Sequence, residues 1–310
     1  MRVFLTGGTG FIGRHLVRSL TERGDDALVL TRSPERAPSD LEDRAELIKG
    51  DPTEAGDWQS LLAECDAVVH LAGESVSAKR WDSRFRQRLL SSRVDATQNV
   101  ARAIAGTDSG PTVLVSASGI DYYPFSEDLG DQPDFFEDSW IEEDGPAGDS
   151  FLARVCRDWE AEAQEAGSAR VVTMRTGLVC GRGGPLSKIA SAFKAFVGGR
   201  LGSGKQWMSW IHIDDVTRAY LHAIDCGELA GPVNLVAPNP VRNREFARAL
   251  GKALGRPSVM PAPAFAIRLA LGEFAEYVLN GRRARSRALP DSGFEFRFET
   301  LEPALADLYQ

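Results

Sequence analysis

Residues 3–13, Val3-Phe4-Leu5-Thr6-Gly7-Gly8-Thr9-Gly10-Phe11-Ile12-Gly13, leave few options for how this chain begins to fold. An apolar run turns through closely spaced glycines into a segment with Leu16, Val17 and Leu20 at helical spacing. Such a passage is a strand, a tight turn and a helix N-terminus. Gly7 permits the turn, Gly10 lets the backbone approach a pyrophosphate, and Gly13 lets helix and strand pack closely. The free N–H groups and positive dipole end of the helix then face phosphate. The run follows apolar residues and opens a helix, the context a dinucleotide site requires. The alternative is a plain strand–turn–helix.

Apolar runs alternate with helical patterns over the first two-thirds of the chain. Strands are expected at 3–6, 27–31, 46–49, 67–71, 112–116 and 170–174, with helices at 57–63, 84–105 and 151–166. This alternation predicts an α/β fold, a doubly wound parallel sheet of the Rossmann type with helices on both faces. Ligands on such sheets bind at the carboxyl ends of the strands. One more short strand is expected at 233–236, within a stretch of about 231–237 that returns to the first domain. From 181 onward glycine-rich loops flank a helical 186–197, and Phe294, Phe296 and Phe298 alternate with Glu295 and Arg297 like a half-buried strand. The expected domains are 1–180 for the nucleotide and 181–310 for a smaller, interleaved substrate-binding region, with a cleft between them.

Charge and cysteine usage narrow the function. A net charge of −8 over 310 residues argues against a nucleic-acid partner. No apolar run is long enough to span a bilayer, and the chain enters its first strand at once, so neither a membrane partner nor a signal peptide is expected. Cys65, Cys156, Cys180 and Cys226 show no paired spacing. They read as reduced thiols of a cytoplasmic protein, with no metal site. The run Arg282, Arg283, Arg285 and Arg287 follows a helical 265–279. It is expected to complement that helix's negative end or to face solvent, with phosphate capture as the alternative.

The end of the second strand separates NAD from NADP. An NAD site presents a carboxylate about 20 residues after the glycine turn. Here the strand ends Leu30-Thr31-Arg32-Ser33, without an acid. Arg32, with Arg36 nearby, can pair with a 2′-phosphate instead. NADP(H) is therefore the expected cofactor, unless Arg32 is only a surface arginine.

Further stretches carry a family likeness. They are Gly50-Asp51, His70-Leu71-Ala72-Gly73-Glu74, Ser116-Ala117-Ser118, Trp159-Glu160, Arg175-Thr176-Gly177-Leu178 and Ser209-Trp210-Ile211-His212-Ile213-Asp214-Asp215. With the glycine turn they resemble the extended short-chain dehydrogenase/reductase superfamily, and within it the atypical epimerase-family branch. The resemblance covers essentially the whole chain. It implies that Gly7, Gly10 and Gly13 hold the pyrophosphate, and that Thr6, Phe11, Ile12 and Ser116 belong to the cofactor set. Asp51 would meet the adenine amino group. Leu71, Ala72 and Gly73 would line the riboses, and Arg175, Thr176 and Gly177 would open the loop beside the nicotinamide. Ser118 stands where the superfamily has its catalytic serine or threonine.

Two departures from the superfamily pattern bear on chemistry. The Tyr-x-x-x-Lys pair normally supplies a proton at a substrate carbonyl or carbinol. Its positions here are Leu152 and Cys156, which cannot do that work. Substitute acid/base candidates are Tyr122 and Tyr123, which follow Ser118, together with Glu74 and His212. The residues with which sugar-nucleotide epimerases grip a diphosphate correspond to Leu178 and Met208, and an acidic loop at 127–149 would repel such a ligand if it covered the cleft. Glu74, Arg80, Trp81, Tyr123, Leu178, Trp207 and Trp210 form the substrate-side set, within which Arg80, Trp81, Trp207 and Trp210 suggest a flatter, more aromatic or apolar ligand. The first reading is an NADP(H)-dependent oxidoreductase on a small carbonyl or hydroxyl compound. The alternatives are a non-catalytic NADPH-binding sensor or scaffold, and a nucleotide-sugar epimerase. A homodimer through 84–105 and 151–166 is a further expectation, although Arg154, Arg157, Asp158 and Glu162 leave no obvious apolar face.

Overall fold

The computed structural model describes residues 1–107, 109–125 and 139–310. Its centre is a seven-stranded sheet built from β1 (Arg2–Thr6), β2 (Asp26–Thr31), β3 (Glu46–Lys49), β4 (Ala67–His70), β5 (Val113–Gly119), β6 (Arg170–Thr176) and the strand Gly231–Leu235. The spatial order is Gly231–Leu235, β6, β5, β4, β1, β2, β3, and every pairing is parallel. The strand order reverses between β1 and β4, which opens a crevice at their carboxyl ends. Register sets the rim of that crevice. Thr6 lies opposite both Leu30 and His70, His70 opposite Ser116, and Ser118 opposite Arg175.

The middles of the central strands are apolar because helices cover both faces. Val3, Leu5 and Val29 pack with Leu16, Leu20, Val216 and Tyr220 on one side. Phe4, Leu28 and Leu30 pack with Trp58, Leu62, Val100 and Ile104 on the other. Successive side chains of a strand point to opposite faces, so a two-sided layer needs every position to be apolar. Each large side chain so buried contributes about 1.5–3 kcal/mol. The helix α1 (Phe11–Glu22) follows β1 directly, through the glycine turn.

After β6 the chain builds a smaller C-terminal part. Leu178–Cys180 pairs in parallel with Trp210–His212, and Val241–Arg242 pairs antiparallel with Trp207–Met208. Its core holds Phe193, Trp210, Phe246, Phe298, Leu301 and Leu305.

Several elements differ from expectation. The 84–105 helix is two helices, Ser83–Ser91 and Val94–Ala105. At the break Ser92 Oγ accepts from the Glu74 N–H, and the Arg93 guanidinium donates to the carbonyls of Glu74 and Leu89. Those bonds hold the chain to the loop after β4 in place of a continuous helix. The 57–63 segment is a 3₁₀ helix, Asp57–Glu64. The 265–279 helix splits at Gly272, whose φ of +62° ends Ala264–Leu271 before Ala275–Leu279 begins. Residues 294–298 bury Phe294 and Phe298 alternately as expected, yet form no strand. The N–H groups of Arg297 and Phe298 donate to the buried Asp215 carboxylate, at 2.8 and 2.9 Å, and meet no neighbouring strand.

Candidate functional site

The glycine turn is built around close approach. Gly7 has φ +69°, and a Cβ there would lie 2.7 Å from the backbone carbon of Leu71. That closeness brings the end of β4 against the turn. A Cβ on Gly13 would collide with Gly7 O and Gly8 Cα, so it is the turn itself that α1 packs against. Gly10 caps α1 without any side-chain hydrogen bond, and the first turn of α1 carries no acid. Its N–H groups are therefore left for an outside anion.

This turn opens into a cleft of about 470 Å³. Gly7, Thr9 and Gly10 form its floor, Leu71, Ala72, Gly73 and Glu74 one wall, and Arg32, Arg36 and Asp51 the far end. Thr6 Oγ1 ties the floor to the wall. It accepts from the Ala72 N–H at 3.2 Å and bonds His70 Nδ1 at 2.7 Å. Burial pushes the His70 pKa down to about 3, with Arg93 adding to the effect, so this imidazole is neutral. Asp51 Oδ1 accepts from the Thr53 N–H and hydroxyl at 2.9 and 2.7 Å, which fixes the carboxylate at the rim. Arg32 is exposed and makes no ion pair among the described residues. Phe11 turns away from the cleft, edge-on to His15 and packed against Gly181 and Gly184, while Ile12 packs on the core. Ser116 is buried, and its hydroxyl donates to Ala117 O. Thr176 Oγ1 donates to Met174 O, and a Cβ on Gly177 would touch Ser209 O.

A second cluster lies at the ends of β5 and β6. Ser118 Oγ donates to Glu160 Oε1 at 2.6 Å. Arg175 Nε and Nη2 grip the same carboxylate at 2.9 and 2.8 Å. Arg175 Nη1 donates to the Tyr123 hydroxyl at 3.0 Å, which in turn donates to Asn234 Oδ1 at 2.7 Å. The face of the Tyr122 ring lies 3.5 Å from Arg175 Cζ. The Arg175 side chain is buried, so its charge serves this network and is not presented to a cofactor. Tyr123 is fully buried, and burial pushes its pKa up to about 12, so it is not open to substrate as expected.

Leu152 and Cys156 occupy one face of the helix Phe151–Gln164, with Glu160 one turn further on. Cys156 is buried beside Gly119, and burial pushes its thiol up to about 12, with Asp121 and Glu160 adding to the effect. Asp121 stands next to it, paired with Arg282 Nη1 at 3.1 Å, a third of its side chain exposed. Its surroundings lift the carboxyl above the usual range by desolvation, against the pull of Arg282. The Leu152 N–H donates to the Tyr277 phenol at 3.0 Å, which clamps the C-terminal part onto this helix.

Other expected site residues lie elsewhere. Trp210 is fully buried in the C-terminal core, with its Nε1–H donating to Asn239 O. His212 is an N-cap: its Nδ1 accepts from the Asp214 N–H at 3.2 Å, and burial lowers its pKa. That tautomer puts the proton on Nε2, 3.5 Å from Asp307, so the His212, Asp214 and Asp307 group offers no imidazole lone pair to a cation. Trp207 is stacked between Arg242 at 4.0 Å and Arg283 at 4.4 Å. Trp81 packs with Phe151, Phe274 and Tyr277, Arg80 lies over Gly272, and Leu178 pairs with Trp210. Of the arginine run, Arg285 and Arg287 are exposed, as expected, whereas Arg282 is buried. Arg282 is buried on Asp121 and Tyr123 O, and Arg285 and Arg287 pair with Glu142. Of the acidic 127–149 loop, residues 127–138 lie outside the described residues. Glu142 and Glu143 are docked on 285–288, where Glu143 accepts from Ser286 and from the N–H groups of Arg287 and Ala288.

Glu160, Asp121, Arg93 and Arg282 complete the site and were not legible as functional residues. Glu160 had a usable sign, since 152, 156 and 160 share one helical face. Arg93 and Arg282 reach the site from distant segments; Arg282 stands out only as a member of the basic run, and nothing local points either side chain to this cluster.

The family model described as NAD dependent epimerase/dehydratase family matches residues 3–235, and a domain of unknown function, DUF1731, matches residues 262–308. The chain is 37% identical to the Arabidopsis thaliana "Epimerase family protein SDR39U1 homolog, chloroplastic", over 100% of this chain and 87% of that one. Among solved structures it resembles the human epimerase family protein SDR39U1 (isoform 2) with NADPH. That match has a TM-score of 0.86 and 33% identity over 100% and 99% of the two chains. A nucleoside-diphosphate sugar epimerase from Corynebacterium glutamicum matches with TM-score 0.77 and 31% identity, over 100% of this chain and 58% of that one.

Proposed function

We propose that this chain, which belongs to the NAD dependent epimerase/dehydratase family, is an NADP(H)-dependent oxidoreductase acting on a small carbonyl or hydroxyl compound. The observation that carries the reading is the uncapped N-terminus of α1, opening on a cleft whose far end holds Arg32 and no opposing acid on the end of β2. Gly7, Gly10 and Gly13 would hold the pyrophosphate, Arg32 the 2′-phosphate, Asp51 the adenine, and Leu71 to Gly73 the riboses. The human relative's NADPH supports the same choice of cofactor. When bound, the nicotinamide supplies or accepts a hydride.

The chain's own contribution is orientation and a proton. Ser118 already gives its proton to Glu160, so its lone pairs are left to accept from a substrate hydroxyl. Both oxygens of Glu160 are held by Arg175, and one also accepts from Ser118, which makes it an anchor for these two side chains. Asp121 is the group we assign to proton transfer. It stands beside Cys156, where the superfamily's lysine would be, and keeps a solvent-facing side. Tyr122 is covered on one ring face by Arg175 and serves as packing. The four free cysteines suit a reducing compartment such as the cytoplasm.

Titration with NADPH and NADH tests the cofactor, and loss of reduced cofactor with fractionated metabolite extracts tests turnover. Binding without turnover across all fractions would favour the second reading, an NADPH-binding sensor. Leu152 and Cys156, which carry no acid or base, are the observation behind it. A nucleotide-sugar epimerase is the weakest reading, because the apolar side chains of Leu178 and Met208 stand where such enzymes grip the diphosphate and can neither donate a hydrogen bond nor carry a charge.

A further inference from the structure

Six large apolar side chains stand out of the C-terminal part: Phe196, Val197, Val259, Met260, Phe265 and Leu269, each between 52% and 73% exposed. They come from three segments that the fold brings together. The chain at 198–202 runs beside 260–262, with Met260 N–H on Gly198 O, Ala262 N–H on Arg200 O and Gly202 N–H on Ala262 O. Phe265 and Leu269 follow one turn apart on the helix Ala264–Leu271, whose buried side carries Ile267. Phe196 is held outward at φ +61°, the one left-handed non-glycine residue among the described residues. Single exposed hydrophobics are ordinary, but a joined set of six is a contact surface.

The segments that carry this set are basic, with Glu245 and Glu273 just outside them. Residues 182–213 carry five basic side chains and no acid, and residues 246–272 carry four and no acid, in a chain whose net charge is −8. Arg200, Arg256 and Arg268 are exposed, and the Arg256 guanidinium lies 4.9 Å from the centre of the Phe196 ring. A second copy of the same face would bring these cations against one another. A helical peptide partner would need a groove, whereas these side chains project. An anionic lipid surface accepts projecting side chains without shape matching and rewards the basic surround.

We propose that this face docks reversibly on an anionic phospholipid surface, with Phe265, Leu269, Phe196 and Met260 entering the headgroup boundary and Arg200, Arg256 and Arg268 meeting phosphates. No helix of the described residues is long and apolar enough to cross a membrane, so the contact is peripheral. The proposal stands apart from the cofactor reading, since none of these residues lines the nucleotide cleft.

Flotation of the full chain with vesicles tests it. One set is phosphatidylcholine alone, and the other contains about 30 mol % phosphatidylglycerol. The expected result is at least about tenfold more bound protein on the anionic vesicles, lost at about 0.5 M salt. Phe265→Ser with Leu269→Ser is expected to lower binding at least about fivefold, and Arg256→Ser with Arg268→Ser by about twentyfold. Equal or absent binding to the two vesicle types overturns the proposal without reference to any variant. So does a wild-type dimer that Phe265→Ser with Leu269→Ser turns into a monomer, because the face is then a contact between copies. Binding to anionic vesicles that survives removal of the two apolar side chains, matched by equal binding to duplex DNA, also overturns it and reduces the face to general polyanion attraction.

Discussion

The Ser118 hydroxyl donates to a Glu160 carboxylate oxygen 2.6 Å away, and the same carboxylate receives two hydrogen bonds from Arg175. The ion pair is nearly enclosed, with side-chain exposures of 4% and 12%. Removing one member of such a pair leaves the other charge buried and uncompensated, at a cost of about 3–5 kcal/mol. Glu160→Gln is therefore expected to lower stability by about 3 kcal/mol or more, measured by urea unfolding. The double variant Glu160→Gln with Arg175→Met should recover part of that loss. Equal stability of Glu160→Gln and wild type would mean that Arg175 is not held by this pair.

Arg32→Ala tests the cofactor assignment. Arg32 has no ion pair to lose among the described residues, so stability should be unchanged within about 0.5 kcal/mol. Charge-assisted hydrogen bonds to a phosphate are worth about 1.5–3 kcal/mol, so NADPH affinity should fall about 10- to 100-fold while NADH affinity stays constant. Fluorescence titration of both nucleotides reads the difference. A parallel loss for both would place Arg32 away from the 2′-phosphate.

Asp121→Asn tests the proton group. The substitution keeps the shape and a hydrogen-bond acceptor for Arg282 but cannot take or give a proton. Turnover of any substrate found should fall about 10²-fold with NADPH affinity unchanged. The pH profile should also lose its limb above the usual carboxylate range, since desolvation lifts the Asp121 carboxyl upward. A variant with full activity would return the role to water or to another residue.

The sheet was legible because each strand holds a short apolar run set off by turns or helical patterns, so each stands alone as a pattern. Glu46–Lys49 matched residue for residue, and Arg170–Thr176 ran two residues past expectation. The glycine turn was legible for the same local reason, since positive φ and a collision with Leu71 leave Gly7 no substitute. The second cluster was not. Arg282 reaches Asp121 from 161 positions away, and Glu143 is held by 286–288, so both are set by packing that no window contains. The alternation of Phe294, Phe296 and Phe298 reported burial correctly but not hydrogen bonding, because the nearby acceptor was the Asp215 side chain. The exposed apolar face was missed because its members are split among 196–197, 259–260 and 265–269.

His70 should make stability depend on pH in a single direction. Its imidazole is fully enclosed, hydrogen-bonded to Thr6 Oγ1, and burial holds its pKa at about 3. In the unfolded chain the ordinary value is about 6.5. The folded value is the lower one, so below about pH 6.5 the unfolded chain binds a proton that the folded chain refuses. The contribution of neutral His70 is thus complete above about pH 6.5 and is lost as pH falls toward 3, with a slope of up to about 1.4 kcal/mol per pH unit. His70→Asn keeps a polar partner for Thr6 but does not titrate, so that slope should flatten while stability at pH 8 falls only by the packing loss. Urea unfolding of the two proteins at pH 5, 6 and 8 checks this, with each pH set to about 0.1 unit. An identical decline in both proteins between pH 6 and pH 5 would assign the acid sensitivity to groups other than His70.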